Sequence, residues 1–123
     1  MLAQGKVMAF VATMHSEQAR AFYEGVLGLR VVSDDEFALV LDANGTTVRV
    51  VHVREFVAAP YTALGWEVAD IVTSVRRLRE RGVVFERYAS FEQDNLGIWT
   101  SPGGARVAWF KDPDGNVLSV TQR

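Results

Sequence analysis

The sequence predicts an α+β fold built from two βαβββ modules within one chain of 123 residues. Three observations carry that prediction. A turn repeats: Asp42-Ala43-Asn44-Gly45 and Asp112-Pro113-Asp114-Gly115-Asn116 each stand between β-prone runs. Asp42 to Asp112 and Gly45 to Gly115 are both separations of 70. A helix pattern precedes each turn, closed by Gly28 in one case and Gly82 in the other, 54 positions apart. Finally, the pre-helix residues His15 and Asp70 lie 55 apart, so the strand–helix junctions repeat as well.

The elements follow in order. Lys6 to Thr13 is a strand, with β-prone Val7, Phe10, Val11 and Thr13 after Gly5. Ser16 is suited to cap a helix from Glu17 to Leu27, on which Ala19, Phe22, Tyr23, Val26 and Leu27 make one apolar stripe. Leu29 to Ser33, Phe37 to Leu41 and Thr46 to Val53 read as three strands separated by turns. Arg54 to Tyr61 is a connector, and modules of about 6–54 and 61–123 make up a single domain over 1–123. In the second module Leu64 to Val68 is a strand, and Asp70 caps a helix from Ile71 to Arg81 whose stripe is Ile71, Val75 and Leu78. Arg76, Arg77, Arg79 and Arg81 then fall on a solvated face. Val83 to Tyr88, Val107 to Phe110 and Val117 to Thr121 complete the strands. The separation grows from 54 to 70, so about 16 extra residues enter the second module, most naturally Ala89 to Gly104. That insertion is either an edge strand plus turn, with Gly97 to Thr100 as the strand, or a lid.

Composition narrows the chemistry. No cysteine is present, which removes disulfides, thiolate nucleophiles and Cys-ligated metal centres. A net charge of −2 does not favour nucleic acid. The only N-terminal apolar run, Val7 to Met14, is too short to span a bilayer and lacks a signal cleavage site. The expectation is a soluble cytoplasmic protein with no membrane partner. No phosphate loop, nucleophile elbow or Ser-His-Asp order is visible. His15 is expected to act locally at its strand–helix junction. His15 and His52, 37 positions apart, form no zinc motif.

Ala21-Phe22-Tyr23 and Val26-Leu27-Gly28 in the first helix, followed by Asp112-Pro-Asp-Gly-Asn116, carry a resemblance. The chain resembles the vicinal oxygen chelate superfamily of glyoxalase I, bleomycin-resistance proteins and extradiol dioxygenases, over nearly its whole length. The resemblance implies paired modules whose mixed sheets curve around a cup, commonly completed in a homodimer. It also implies a divalent metal in the cup, held from the first and last strands of each module. Carried onto this sequence, the four ligand positions are Met8, Arg49, Ala63 and Ser119. None is a good ligand for a divalent ion, and the Arg49 guanidinium would repel one. No metal or other cofactor is therefore expected.

If those four positions face the cup, strand alternation brings Phe10, Val51, Gly65, Glu67 and Thr121 to the same face. Val7, Val11, Leu64, Trp66, Leu118 and Val120 then pack under the helices. The ligand-binding candidates are Met8, Phe10, Arg49, Val51, Glu67, Ser119 and Trp99, with Tyr61 and Trp109 as further aromatic walls. Glu67 is the candidate base if the protein is a catalyst, and Arg49 with Glu67 could equally form a buried ion pair. The expected function is metal-independent binding of a small apolar or anionic compound, of the bleomycin-resistance type. The alternative is a glyoxalase-like lyase or isomerase, or a dioxygenase, with a non-standard metal site.

Overall fold

The computed structural model describes residues 1–123. By packing it divides into two units, Met1–Val57 and Ala58–Arg123. Each carries one four-stranded mixed sheet, so the two predicted βαβββ modules are both present.

In the first unit a short 3₁₀ turn, Leu2–Gln4, leads into β1 (Met8–Thr13), α1 (Ser16–Arg20), β2 (Arg30–Asp34), β3 (Ala38–Ala43) and β4 (Thr46–His52). The sheet order is β1-β4-β3-β2, with β1 parallel to β4 and the other pairs antiparallel. Alternation sends Val11 and Thr13 of β1, and Val48 and Val50 of β4, into the core with Leu39, Leu41, Ala19 and Tyr23. Val7 departs from the expected pattern: it precedes the strand and is exposed rather than packed under the helix.

The first helix also differs from expectation. Ser16 is its first residue and His15 occupies the capping position without a side-chain cap bond. His15 N instead donates to Thr13 Oγ1 at 3.0 Å. After Arg20 the helix widens into a π turn over Ala21–Val26, where Leu27 N donates to Phe22 O. Apolar spacing cannot separate these forms, because Ala19 and Tyr23 fall inward in either. Only the i→i−5 hydrogen bonding distinguishes the wider turn. Gly28, at φ 75°, then closes it.

In the second unit β5 (Thr62–Glu67), α2 (Ile71–Glu80), β6 (Trp99–Thr100), β7 (Arg106–Lys111) and β8 (Val117–Gln122) form a sheet of order β5-β8-β7-β6. The parallel pair recurs between β5 and β8. Asp70 caps α2 as its sequence suggests, accepting from Thr73 N at 3.2 Å and from the Thr73 hydroxyl at 2.9 Å. Ile71 N donates to Gln122 Oε1 at 2.9 Å, tying the helix start to the last strand. Ile71 and Val75 are wholly buried with Phe110, Leu118 and Val120.

The predicted strand Val83–Tyr88 is not one. Only Phe85 bridges to Phe110, and Glu86 N donates to Trp109 O at 2.8 Å. Its backbone is satisfied by a side chain instead of a ladder. Gln93 Oε1 accepts from Tyr88 N at 2.8 Å, while Nε2 donates to Glu86 O at 2.9 Å and Gly97 O at 2.8 Å. The edge position goes to β6, drawn from the insertion, so the edge-strand reading of that segment is the one realised. Gly97 is needed there: its φ is +86°, and a Cβ would lie 3.2 Å from Phe85 Cβ.

The repeated turn is closed by buried Asp112. Its Oδ1 accepts from Asp114 N and Asn116 N, both at 2.9 Å, and its Oδ2 accepts from Asn116 Nδ2 at 2.8 Å. In the first unit the equivalent Asp42 Oδ1 accepts only from Gly45 N, at 3.1 Å, among the turn's own groups.

Three variants test these clamps. Asp112→Ala leaves buried donors unpaired and should cost about 2–4 kcal/mol, read by urea denaturation. Asp42→Ala, at the more open turn, should cost well under half as much. Gln93→Ala should lower stability by about 2–3 kcal/mol through three lost bonds, and fast amide exchange at Tyr88 should report the opened edge.

Candidate functional site

The face of each sheet turned away from its helix collects the candidate residues. In the first unit the β1–β4 register opposes Met8 to Thr47, Phe10 to Arg49 and Ala12 to Val51. The β3–β4 register adds Val40 opposite Arg49. Met8, Phe10, Arg49 and Val51 therefore share one face, with Met8 and Arg49 diagonal neighbours on adjacent strands. Met8 and Phe10 are 47% and 59% exposed, an apolar wall open to solvent.

Arg49 rises half-buried between Phe10 and Val40. Two other arginines of this unit are ion-paired: Arg30 lies 3.6 Å from Asp42, and Arg20, on the helix, pairs with Glu24 and Asp34 at 3.1 and 2.9 Å. Within the first unit Arg49 has no carboxylate within salt-bridge distance. Its charge reaches the β2–β3 turn. The Asp35 carboxyl is held below its usual range by the N–H groups of Ala38 and Phe37, and further by the Arg49 charge and His52. His52 is of opposite parity to Arg49 and lies at the end of β4. Its Nδ1 is 2.9 Å from Glu36 O, and its Nε2 is buried without a partner.

In the second unit Gly65 lies opposite Ser119 and Glu67 opposite Thr121, while Ser119 pairs with Trp109 and Thr121 with Val107. Trp99 opposes Val107 from β6. Ser119, Thr121, Gly65, Glu67, Trp99 and Trp109 thus share a face. Ala63 is the extra residue of a bulge between Thr62 and Leu64 and is exposed. Ser119 is buried, and the bare backbone of Gly65 makes room for it: a Cβ there would lie 2.7 Å from Ser119 Oγ. Glu67 is exposed and ion-paired to Arg123, a poor setting for a base that needs exclusion of water.

Sequence reasoning gave Trp99 and Trp109 a place but missed their company. Phe91 stacks on Trp109, with centroids 5.2 Å apart and planes at 10°, and lies 4.7 Å from Trp99. Tyr88 meets Trp109 edge-on at 5.5 Å and 79°. The two indoles are 6.0 Å apart. The signal was present as Tyr88, Phe91 and Trp99 in one stretch, but the segment was read as a strand and an insertion. Burial pushes the Tyr88 phenol up, with the Glu86 charge adding to it and Lys111 opposing. Beside the cluster lies a pocket of 290 Å³, bounded by Tyr61, Tyr88, Phe91 and Trp109 together with Thr62 and Val117.

The donor set at the four positions does not suit a metal. Met8 offers a thioether and Arg49 a fixed cation, Ala63 offers nothing, and the Ser119 hydroxyl is turned against Gly65. No His, Asp or Glu cluster in the structure gathers three side chains that could hold an ion. No helix is long and apolar enough to cross a membrane.

Residues 6–120 match the family model described as the Glyoxalase/Bleomycin resistance protein/Dioxygenase superfamily. No curated protein matches the chain significantly. Among solved structures, one similar to this chain is a member of that superfamily from Sphaerobacter thermophilus DSM 20745, at 24% identity and TM-score 0.78, with 100% of each chain covered. Another is a lactoylglutathione lyase from Agrobacterium tumefaciens, at 15% identity and TM-score 0.76, covering 97% of this chain and 93% of that one. At these identities the likeness is one of fold. With a family match over nearly the full length and both βαβββ modules in place, the chain belongs to the glyoxalase/bleomycin resistance protein/dioxygenase superfamily.

Proposed function

We propose that this protein binds a small organic anion without a metal ion. The observation that carries the reading is Arg49. A half-buried arginine stands on the open face of the first sheet, beside Met8 and Phe10, with no carboxylate of its unit within ion-pair distance. It occupies a position where the family resemblance implies a metal ligand, so a fixed cation stands where a bound one would be held. A guanidinium flanked by apolar walls suits a carboxylate, sulfonate or phosphate attached to an apolar body. Val51, one register step along the same face, lengthens that wall.

Two measurements test this. Elemental analysis of protein purified without chelator should find no stoichiometric Zn, Ni, Fe or Mn; a full equivalent of any of them overturns the metal-free reading. A thermal-shift screen of small organic anions should yield a stabilising ligand, since one at 100 times its Kd contributes about 2.7 kcal/mol. For that ligand Arg49→Ala should weaken binding by about 2–5 kcal/mol while Arg30→Ala changes it little. Equal losses in the two variants would place the anion elsewhere.

A further inference from the structure

The second sheet carries a feature that charge recognition does not use. We propose that the 290 Å³ pocket beside Trp109 is a site for an uncharged planar aromatic ring system of one or two rings, an inference that rests on the small-molecule-binding reading. The walls argue for this. Four aromatic residues, Tyr61, Tyr88, Phe91 and Trp109, line the pocket, and the remaining lining residues, Pro60, Thr62, Ser90 and Val117, carry no charge. At this volume the pocket sits at the small end of ligand sites, with room for one or two rings.

The ring arrangement favours a flat guest over a globular one. Phe91 and Trp109 lie nearly parallel, at 10°, while Tyr88 stands across both, at 89° to Phe91 and 79° to Trp109. A flat molecule entering parallel to the stacked pair meets Tyr88 edge to face, continuing a packing the protein already uses. A saturated guest of the same skeleton is thicker and offers no ring quadrupole. Four of the lining residues, Tyr61, Thr62, Tyr88 and Ser90, carry hydroxyls, groups able to pair with a polar edge of the ring. The Tyr88 phenol is protonated at neutral pH, as its ordinary value requires and its upward shift reinforces. The pocket's position is fixed by the sheet, because Trp109 opposes Ser119 on β8 and Val117 pairs with both Thr62 and Lys111.

The test compares 2-naphthol with its saturated counterpart, decahydro-2-naphthol, by isothermal titration calorimetry on the full chain. The expected result is binding of 2-naphthol at least tenfold tighter than the saturated alcohol, unchanged between 50 mM and 500 mM salt. Trp109→Leu should weaken 2-naphthol at least tenfold and Trp109→Phe less than threefold, with folding of each checked by thermal melting. Arg49→Ala should leave it unchanged. Equal affinity for the two alcohols, or a Trp109→Leu variant that is folded and binds normally, overturns the aromatic assignment and leaves the anion reading of Arg49 standing. Absence of 2-naphthol binding alone does the same. If no small organic anion binds either, the small-molecule reading falls with it.

Discussion

The parallel pairing of the first and last strands in each module is the constraint on which the rest depends. A parallel pair cannot be closed by a short turn, so the chain must leave β1, cross the sheet face as a helix, and return through two further strands before β4 can dock. The same logic holds for β5 and β8. Because the first and last strands of each module lie side by side, residues 39 positions apart in the first module and 54 apart in the second, such as Gly65 and Ser119, become neighbours with fixed register. Phe10 beside Arg49, and Gly65 beside Ser119, are the same pairing made twice. The helix covers one face of each sheet and leaves the other to whatever chemistry the side chains supply.

What they supply differs between the modules. The first sheet offers a cation between apolar neighbours. The second offers rings, a buried hydroxyl and an ion-paired carboxylate at its margin. At the four positions where the resemblance implies ligands, Met8, Arg49, Ala63 and Ser119 offer neither imidazole nor carboxylate. Met8, Arg49 and Ala63 lie outside the buried core, so the residues there can change what the scaffold does with little effect on the scaffold itself.

Much of this was legible in the chain. Separations of 54, 55 and 70 between like turns and junctions revealed the duplication, and period-two burial then set which residues share a face. Met8, Phe10, Arg49, Val51, Gly65, Glu67, Ser119 and Thr121 could be assigned that way because strand parity is a strict rule within an unbroken ladder. It failed where the ladder is broken. Val83 to Tyr88 is β-prone, yet Tyr88 N and Glu86 O are bonded by Gln93, five and seven positions on, a side-chain choice that strand propensity does not encode. Val7 fell outside the strand because periodicity does not mark where pairing begins. The aromatic cluster escaped notice for a related reason: Phe91 reaches Trp109 through an irregular segment whose path follows from Gly97 and Asp94.

That cluster has an optical consequence. Trp99 and Trp109 lie 6.0 Å apart with Phe91 and Tyr88 fixed against them, so their electronic transitions are held in an asymmetric array. The third tryptophan, Trp66, sits on the opposite face of the sheet, opposed to Val120. Near-ultraviolet circular dichroism of this protein therefore reports chiefly on one small neighbourhood, whereas the far-ultraviolet signal reports on both sheets and helices. Should the segment bearing Phe91 detach before the sheets separate, the near-ultraviolet band will fade first, and the chain will carry its own unlabelled gauge of that local opening.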